Sequence, residues 1–184
     1  VPWAMADELD PPDPYIGDAA QLYNLDAVAY ESIMLGMFEI HRGPENKICA
    51  ERRVPKITEL NLATSRDGFH WHRPDRRAHI PAERKEAWDR GYVQSLGNVC
   101  VISGDQLYFY YIGFRGGKGM YDNSATGLAV LRRDGFASMD AGAEPGTLTT
   151  RPVVFSGKHL FVNVDAPQGR LRAEVIGEDG LPVE

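Results

Sequence analysis

One carboxylate of this chain lies within an apolar run, and its position favours acid–base chemistry. Glu31 occupies the middle of AYESI (29–33), inside the longer apolar segment 27–41. A charge in such a run is unfavourable unless it is paired or faces water. Burial also raises the pKa of a carboxyl group, as a general acid requires. Glu31 is therefore a candidate proton donor, and the alternative is a structural ion pair with Arg42 or Arg115.

Two further sequence patterns contain residue types that occur in metal-binding or phosphate-binding sites. His70 and His72 are two positions apart and would share one face of a strand, as metal-ligating histidines can. No third ligand accompanies them, so surface or packing positions are favoured and no metal is expected. Lys118 lies in RGGKG (115–119), but the spacing of a phosphate-binding loop and its helix is absent. The sequence predicts no cofactor.

A sequence motif that occurs twice indicates how these residues are positioned. LATSRDGF (62–69) returns as LAVLRRDGF (128–136), with one residue inserted. In each copy a β-prone run enters an Asp-Gly turn, where glycine supplies the positive φ of a tight hairpin. Asp67 and Asp134 are therefore predicted to be turn residues. Sheet units that repeat in this way are typical of a β-propeller.

The composition excludes several classes of function. The 184 residues are 43% hydrophobic and 25% charged, which is typical of one globular domain or little more. The net charge is −6 and the basic residues are scattered, which argues against a nucleic-acid surface. No apolar run is long enough to span a membrane. Cys49 and Cys100 belong to no CxxC pattern, so buried free thiols are favoured over a disulfide between them.

The hydrophobic pattern predicts strands and no helix in the first part of the chain. The first 26 residues are rich in proline and aspartate and predict an irregular loop. Segment 27–41 predicts two buried strands joined or bent near Gly36, and 42–56 predicts a polar loop. Further strands are predicted at 57–64, 69–72, 92–102, 107–114 and 126–133.

The sequence changes in character near residue 146. Short strands are predicted at 153–155, 160–164 and 171–176, separated by turns that contain glycine. We therefore predict two domains, with propeller blades in 1–145 and the first strands of a β-sandwich in 146–184. The chain begins with VPW and ends just after an Asp-Gly turn, which favours a piece of a longer protein.

Several motifs resemble one superfamily. SRDGFHWHRP (65–74) resembles a hairpin of the five-bladed β-propeller glycosidases, which include glycoside hydrolase families 32 and 43 and their bacterial relatives. AWDRGY (87–92), GDQLYFYY (104–111) and the tail from GTLTTRP (146–152) onward resemble the same relatives. The resemblance covers most of residues 20–184. It implies an all-β chain that forms about three blades of a partial five-bladed β-propeller, followed by the start of a β-sandwich.

The same resemblance implies hydrolysis of a glycosidic bond by paired carboxylates in a central propeller pocket. The superfamily carries three carboxylates on its first three blades, with the general acid on an inner strand of the third, where Glu31 would lie. This chain lacks counterparts of the family motifs that contain the other two carboxylates. It is therefore interpreted as the C-terminal portion, which catalyses only with the N-terminal blades of the same or another chain.

Five residues near the expected mouth of the propeller are predicted to contact a carbohydrate. Trp88 could stack on a sugar ring, because its aromatic face matches the apolar face of the ring. Asp89 precedes an inner strand, and its alternative role is capping of backbone amides. Tyr92, Gln94 and Arg115 lie at strand ends. Inner strands line a propeller channel, so these side chains and the proton donor should converge on one concave surface.

Two hypotheses of different classes follow. The first is a glycoside hydrolase that acts on an oligo- or polysaccharide, for which a secreted or periplasmic location fits. The second is a non-catalytic propeller module that binds carbohydrate or a protein partner, since the other carboxylates are absent. In both, segment 27–40 is expected to leave an apolar face uncovered until a neighbouring blade or a second copy packs on it.

Overall fold

The chain divides into two units, Val1–Ala137 and Ser138–Glu184. A computed structural model describes residues 3–183. Within them, the first unit contains two antiparallel sheets and one short helix, so the prediction of an all-β chain is confirmed. The predicted domain boundary between residues 145 and 146 lies inside the second unit.

Sheet A is an antiparallel meander that curls into a half-barrel. Glu31 and Ser32 form the turn between its first two strands, and Glu31 has a left-handed φ of 51°. The predicted bend near Gly36 is wrong, because Gly36 lies within the second strand. A Cβ at this position would lie 2.9 Å from Cε3 of Trp71, so glycine leaves room for that ring. The strands are β1 (Gln21–Tyr30), β2 (Ile33–Gly43), β3 (Ile57–Ser65) and β4 (Trp71–His72).

A short helix, α1 (Asn46–Arg52), connects β2 to β3. The residue after the helix, Arg53, has a left-handed backbone and donates its N–H to the carbonyl of Cys49. The prediction of a polar loop without a helix is therefore wrong at 42–56. Seven residues are too few for the 3.6-residue period to stand out in the sequence. Cys49 is buried in α1 and is a free thiol, as is the buried Cys100.

Sheet B is built around one central strand. The strand β8 pairs along the whole of β7, while β5 and β6 pair with different parts of β7. Because a strand has only two edges, β5 and β6 share the edge that β8 leaves free. The strands are β5 (Gly91–Ser95), β6 (Val101–Ser103), β7 (Gln106–Phe114) and β8 (Ser124–Arg132). The predicted strands at 107–114 and 126–133 are confirmed.

The main core lies between the inner face of sheet A and sheet B. Alternate residues of each strand point into it, as the two-residue period of a strand requires. Burial of these side chains is the main source of stability of the first unit. The most deeply buried members are Leu35, Met37, Leu60, Val93, Leu107 and Phe109.

A second apolar cluster covers the outer face of sheet A. Phe38 and Ile40 pack there with the N-terminal residues Ala4 and Ala20. The N-terminal segment is held by an ion pair between Asp10 and Arg73, both with almost completely buried side chains. The predicted uncovered face is therefore not found in the β2 part of segment 27–40, residues 33–40, which is packed on both sides.

The two Asp-Gly turns have different surroundings. Asp67 lies between β3 and β4, and its Oδ1 accepts hydrogen bonds from the N–H groups of Phe69 and His70. Asp134 follows β8, and its Oδ1 accepts a 2.6 Å hydrogen bond from the hydroxyl of Tyr30. No strand among the described residues follows this second turn. Both aspartates are turn residues as predicted, but only the first turn forms a hairpin.

The second unit has little regular structure among its described residues, 138–183. Its only strand-like pairing there is an isolated bridge between Ile176 and Pro182. The strands predicted at 153–155, 160–164 and 171–176 are not formed as hydrogen-bonded strands, because no paired edge is present to satisfy their backbone. No helix in the described part of the chain is long and apolar enough to cross a membrane.

Candidate functional site

Polar side chains lie on the inner face of sheet A among apolar core residues. Glu39 and His41 follow Leu35 and Met37 at two-residue spacing along β2, so all four share one face. Asp26 lies on β1 opposite Met37 and is a diagonal neighbour of Glu39. Diagonal neighbours in antiparallel strands are roughly 7–8 Å apart. The face that packs against sheet B therefore carries two carboxylates close together.

Glu39 is the most unusual ionisable group of the first unit. Only 1% of the residue is exposed, and neither carboxylate oxygen has a hydrogen-bond partner among the described residues. Burial, together with the negative charge of Asp26, raises the pKa of Glu39 from 4.5 to about 8, and the positive charge of Lys56 opposes this rise. Glu39 is therefore protonated at neutral pH and can act as a proton donor.

A lysine and two tyrosines complete this group. Lys56 donates a 2.7 Å hydrogen bond to the hydroxyl of Tyr23, and its Nζ lies 5.4 Å from the centroid of the Tyr92 ring. The N–H of Tyr92 donates to the carbonyl of Lys56 at 2.7 Å. We call the following residues the Glu39 cluster: Tyr23, Asp26, Glu39, His41, Lys56 and Tyr92.

The pKa shifts within the Glu39 cluster have different causes. Burial lowers the pKa of His41, and the nearby charge of Lys56 lowers it further, so this imidazole is neutral at pH 7. The hydrogen bond from Lys56 lowers the pKa of Tyr23. Burial raises the pKa of Tyr92. Ionisable groups with shifted pKa values that lie together in this way are typical of functional sites.

A cleft on the same unit has a volume of about 520 Å³. Trp88 lies in it, with 38% of the residue exposed and its ring stacked on Tyr111 at a centroid distance of 5.4 Å. We call it the arginine cleft. The residues that define it are Arg53, Glu86, Trp88, Arg90, Arg115 and Asn123.

The arginine cleft and the Glu39 cluster are joined by two short segments. Arg53 lines the cleft and Lys56, three residues later, belongs to the cluster. Arg115 lines the cleft and the preceding Phe114 packs against Tyr92 at a centroid distance of 5.1 Å. The two features therefore lie on neighbouring parts of the first unit.

The residues predicted to contact carbohydrate divide between these features. Trp88 and Arg115 both line the arginine cleft, and Tyr92 belongs to the Glu39 cluster. Asp89 is buried beneath the cleft, where its Oδ2 accepts a 2.9 Å hydrogen bond from the hydroxyl of Tyr111. Gln94 lies on β5 opposite Ile112 of β7, half-buried.

Glu31 lies away from these residues. It is exposed in the turn between β1 and β2 and forms an ion pair with Arg133. The premise that it is buried in a strand is therefore wrong, and its partner is neither Arg42 nor Arg115. Tyr23 of the Glu39 cluster is eight positions away along β1, which at about 3.3 Å per residue corresponds to roughly 25 Å. The structure does not bring Glu31 together with the other predicted site residues.

Sequence reasoning missed Glu39, although a signal for it is present. Glu39 is a second acidic residue of the apolar segment 27–41, flanked by Phe38 and Ile40. Its burial depends on where the β1–β2 turn lies, and the turn was predicted near Gly36. With the turn at residues 31 and 32, Glu39 falls within β2, one of the two inner strands of sheet A. Lys56 was missed because it lies in the segment predicted to be a polar loop.

The histidine pair is not associated with further metal ligands. His70 is almost fully exposed and its Nδ1 lies 2.7 Å from Oδ2 of Asp67, which raises the pKa of His70. No group of three or more metal-ligating side chains is found among residues 3–183. Lys118 lies in the loop between β7 and β8.

Comparison of the chain with protein-family models, with curated proteins and with solved structures finds no match.

Proposed function

We propose that this chain is part of a glycoside hydrolase that acts on an oligo- or polysaccharide, with Glu39 as the proton donor. The observation that carries the proposal is the buried, unpaired carboxyl of Glu39, whose pKa of about 8 keeps its proton at neutral pH. Asp26, its diagonal neighbour, supplies a second carboxylate. Paired carboxyl groups about 5–9.5 Å apart are the functional unit of most glycosidases.

The proposal includes a partial five-bladed β-propeller of about three blades, followed by the start of a β-sandwich in residues 146–184. The four-stranded antiparallel meander of sheet A supports it, because a propeller blade has this strand order. N-terminal blades of the same or another chain would close the propeller. Tyr23 is 44% exposed and accepts a hydrogen bond from Lys56, so the Glu39 cluster reaches the surface there, where the carbohydrate would bind.

Paired substitutions distinguish the two candidate proton donors. Glu39→Gln keeps the shape of the side chain but cannot release a proton, so it should lower the rate of hydrolysis of an aryl glycoside at least about 100-fold. Glu31→Gln removes an exposed ion pair and should leave the rate within about twofold. The measurements are initial rates with aryl glycosides on the chain combined with its N-terminal blades, with circular dichroism as the control for folding. The reverse result would assign the proton donor to Glu31.

A second candidate function is a non-catalytic module that binds carbohydrate. It is favoured by the exposed face of Trp88 in the arginine cleft, because an aromatic ring in a cleft is suited to stacking on a sugar. Saccharide binding by a protein that shows no hydrolysis, with and without the N-terminal blades, would favour this function. Loss of hydrolysis in the Glu39 variant alone would exclude it.

A further inference from the structure

The arginine cleft concentrates positive charge on an acidic chain. Its lining contains Arg53, Arg90 and Arg115 against a single acidic residue, Glu86, although the whole chain carries a net charge of −6. Arg53, which directly follows α1, and arginines from two separate loops meet there. Such a local excess of one charge favours a ligand of the opposite charge.

The guanidinium groups are available to a ligand. Glu86 accepts a 2.9 Å hydrogen bond from Arg115 and lies 3.7 Å from Arg90, but its own side chain is 80% exposed. Exposed ion pairs of this kind contribute little to stability, so an incoming anion can replace Glu86. Arg53 has no ion-pair partner among residues 3–183. Because the guanidinium group donates a planar pair of hydrogen bonds, it matches carboxylate and sulfate oxygens.

The aromatic wall of the cleft is held in place from below. Trp88 stacks on Tyr111, whose hydroxyl donates to the buried Asp89. On the far side, the Nδ2 of Asn123 donates a 2.8 Å hydrogen bond to the carbonyl of Gly116. The cleft therefore presents a fixed apolar ring beside three cationic groups, and its volume of about 520 Å³ suits one or two sugar units.

We propose that the arginine cleft binds the anionic group of an acidic saccharide, a carboxylate or a sulfate ester, while Trp88 stacks on the sugar ring. This inference rests on the proposed function for the statement that the ligand is a saccharide. It adds the class of saccharide, which neither the motifs nor the Glu39 cluster indicates.

Isothermal titration calorimetry with the full chain tests this proposal. The probes are trigalacturonic acid, its methyl ester, which has the same shape without the charges, galactose 6-sulfate and galactose. If the cleft takes a carboxylate, trigalacturonic acid should bind at least tenfold more tightly than its methyl ester. If it takes a sulfate ester, galactose 6-sulfate should bind at least tenfold more tightly than galactose. Arg53→Gln and Arg115→Gln should each weaken binding about tenfold, as expected for one charge-assisted contact.

Two further variants make the test specific. Glu86→Gln should tighten binding of the acidic probe several-fold, because it releases Arg90 and Arg115 and removes a like charge. Arg77→Gln is the matched control, since Arg77 is an exposed arginine paired with Asp75 outside the cleft, and it should leave the affinity unchanged. Equal affinity for each acidic probe and its uncharged counterpart, equal weakening by Arg77→Gln, or no binding of either acidic probe would overturn the proposal.

These outcomes separate the inference from the proposed function. Binding of an acidic probe without hydrolysis of any glycoside, even with the N-terminal blades present, would support the cleft and count against the hydrolase. Hydrolysis that requires Glu39, in a protein that does not bind the acidic probes, would support the hydrolase. It would reject the proposal that the ligand is an acidic saccharide.

Discussion

At the scale of single residues, Glu39 and Glu31 show how surroundings decide what a carboxylate can do. Both belong to the same apolar segment of sequence. Glu39 lies in the core and retains its proton because burial penalises the charged form. Glu31 lies in an exposed turn, where it forms an ion pair with Arg133. Only the first has the environment of a general acid at neutral pH.

Replacement of Glu39 by glutamine is expected to make folding stability less dependent on pH. The pKa of Glu39 is about 8 in the folded chain against an ordinary value of 4.5, so between these values only the folded state holds the proton. Stability must then fall as the pH rises from about 5 to about 8, by up to about 1.4 kcal/mol per pH unit. Glutamine is neutral throughout and avoids this loss. Urea unfolding at pH 5, 6.5 and 8, followed by tryptophan fluorescence, measures the difference.

The pKa shift of His41 changes folding stability with pH in the opposite direction to that of Glu39. Its pKa is lowered in the folded state, so its contribution to stability increases as the pH rises towards 6.5 and is constant above it. Both proteins retain His41, so the difference between them isolates Glu39. Stability curves that run parallel across this range would show that Glu39 titrates normally.

At the scale of elements, a glycine of β2 and a tryptophan of β4 pack together on the outer face of sheet A. The ring of Trp71 reaches over β3 and lies against Gly36 on the outer face of sheet A. The same ring packs against Phe38 at a centroid distance of 5.9 Å. The short strand β4 therefore contributes to the fold mainly through one side chain.

Gly36→Ala is expected to destabilise the first unit by roughly 1–3 kcal/mol, the usual cost of overpacking. The added methyl group would overlap the half-buried ring of Trp71, which packs against Phe38 of β2 and Trp3 of the N-terminal segment. Gly142→Ala is the matched control, because a Cβ there meets no atom within 4 Å. Urea unfolding measures both variants. A Gly36→Ala protein as stable as the Gly142→Ala protein would show that Trp71 can move aside freely.

At the scale of the whole molecule, the two units differ in how their apolar side chains are used. The first unit buries them between and around its sheets. In the second, Val154, Phe155 and Phe161 are largely exposed, and few backbone hydrogen bonds are formed among residues 138–183. Segments with these properties open readily and are accessible to proteases and to other apolar surfaces.

Limited proteolysis with chymotrypsin is expected to cut the second unit first. The earliest cuts should fall between residues 148 and 164, where leucine and phenylalanine side chains are exposed and the backbone is unpaired. Aromatic residues within the strands, such as Phe38 and Phe109, serve as internal controls, because they are buried. Mass spectrometry identifies the products. Cleavage within β2 or β7 at a similar rate would contradict the prediction that the second unit opens more readily than the first.

The sequence by itself determined the features that depend on neighbouring residues. The strands β3, β7 and β8 follow from local apolar and β-branched patterns, and Asp67 follows from turn chemistry. The resemblance to propeller glycosidases also came from local motifs and stays an expectation about fold and function. Strands predicted in the tail did not form, because a strand needs a partner edge that local sequence does not supply.

Only the tertiary structure decided which residues meet in the Glu39 cluster and in the arginine cleft. The turn at residues 31 and 32 sets the register of β1 and β2, and this register buries Glu39 beside Asp26 while it exposes Glu31. The arginine cleft joins the end of α1 to loops some thirty and sixty residues further along the chain, as Arg53, Glu86 and Arg115 show. Burial and long-range pairing fix the pKa values and charge of these sites, and neither is encoded in any short stretch of sequence.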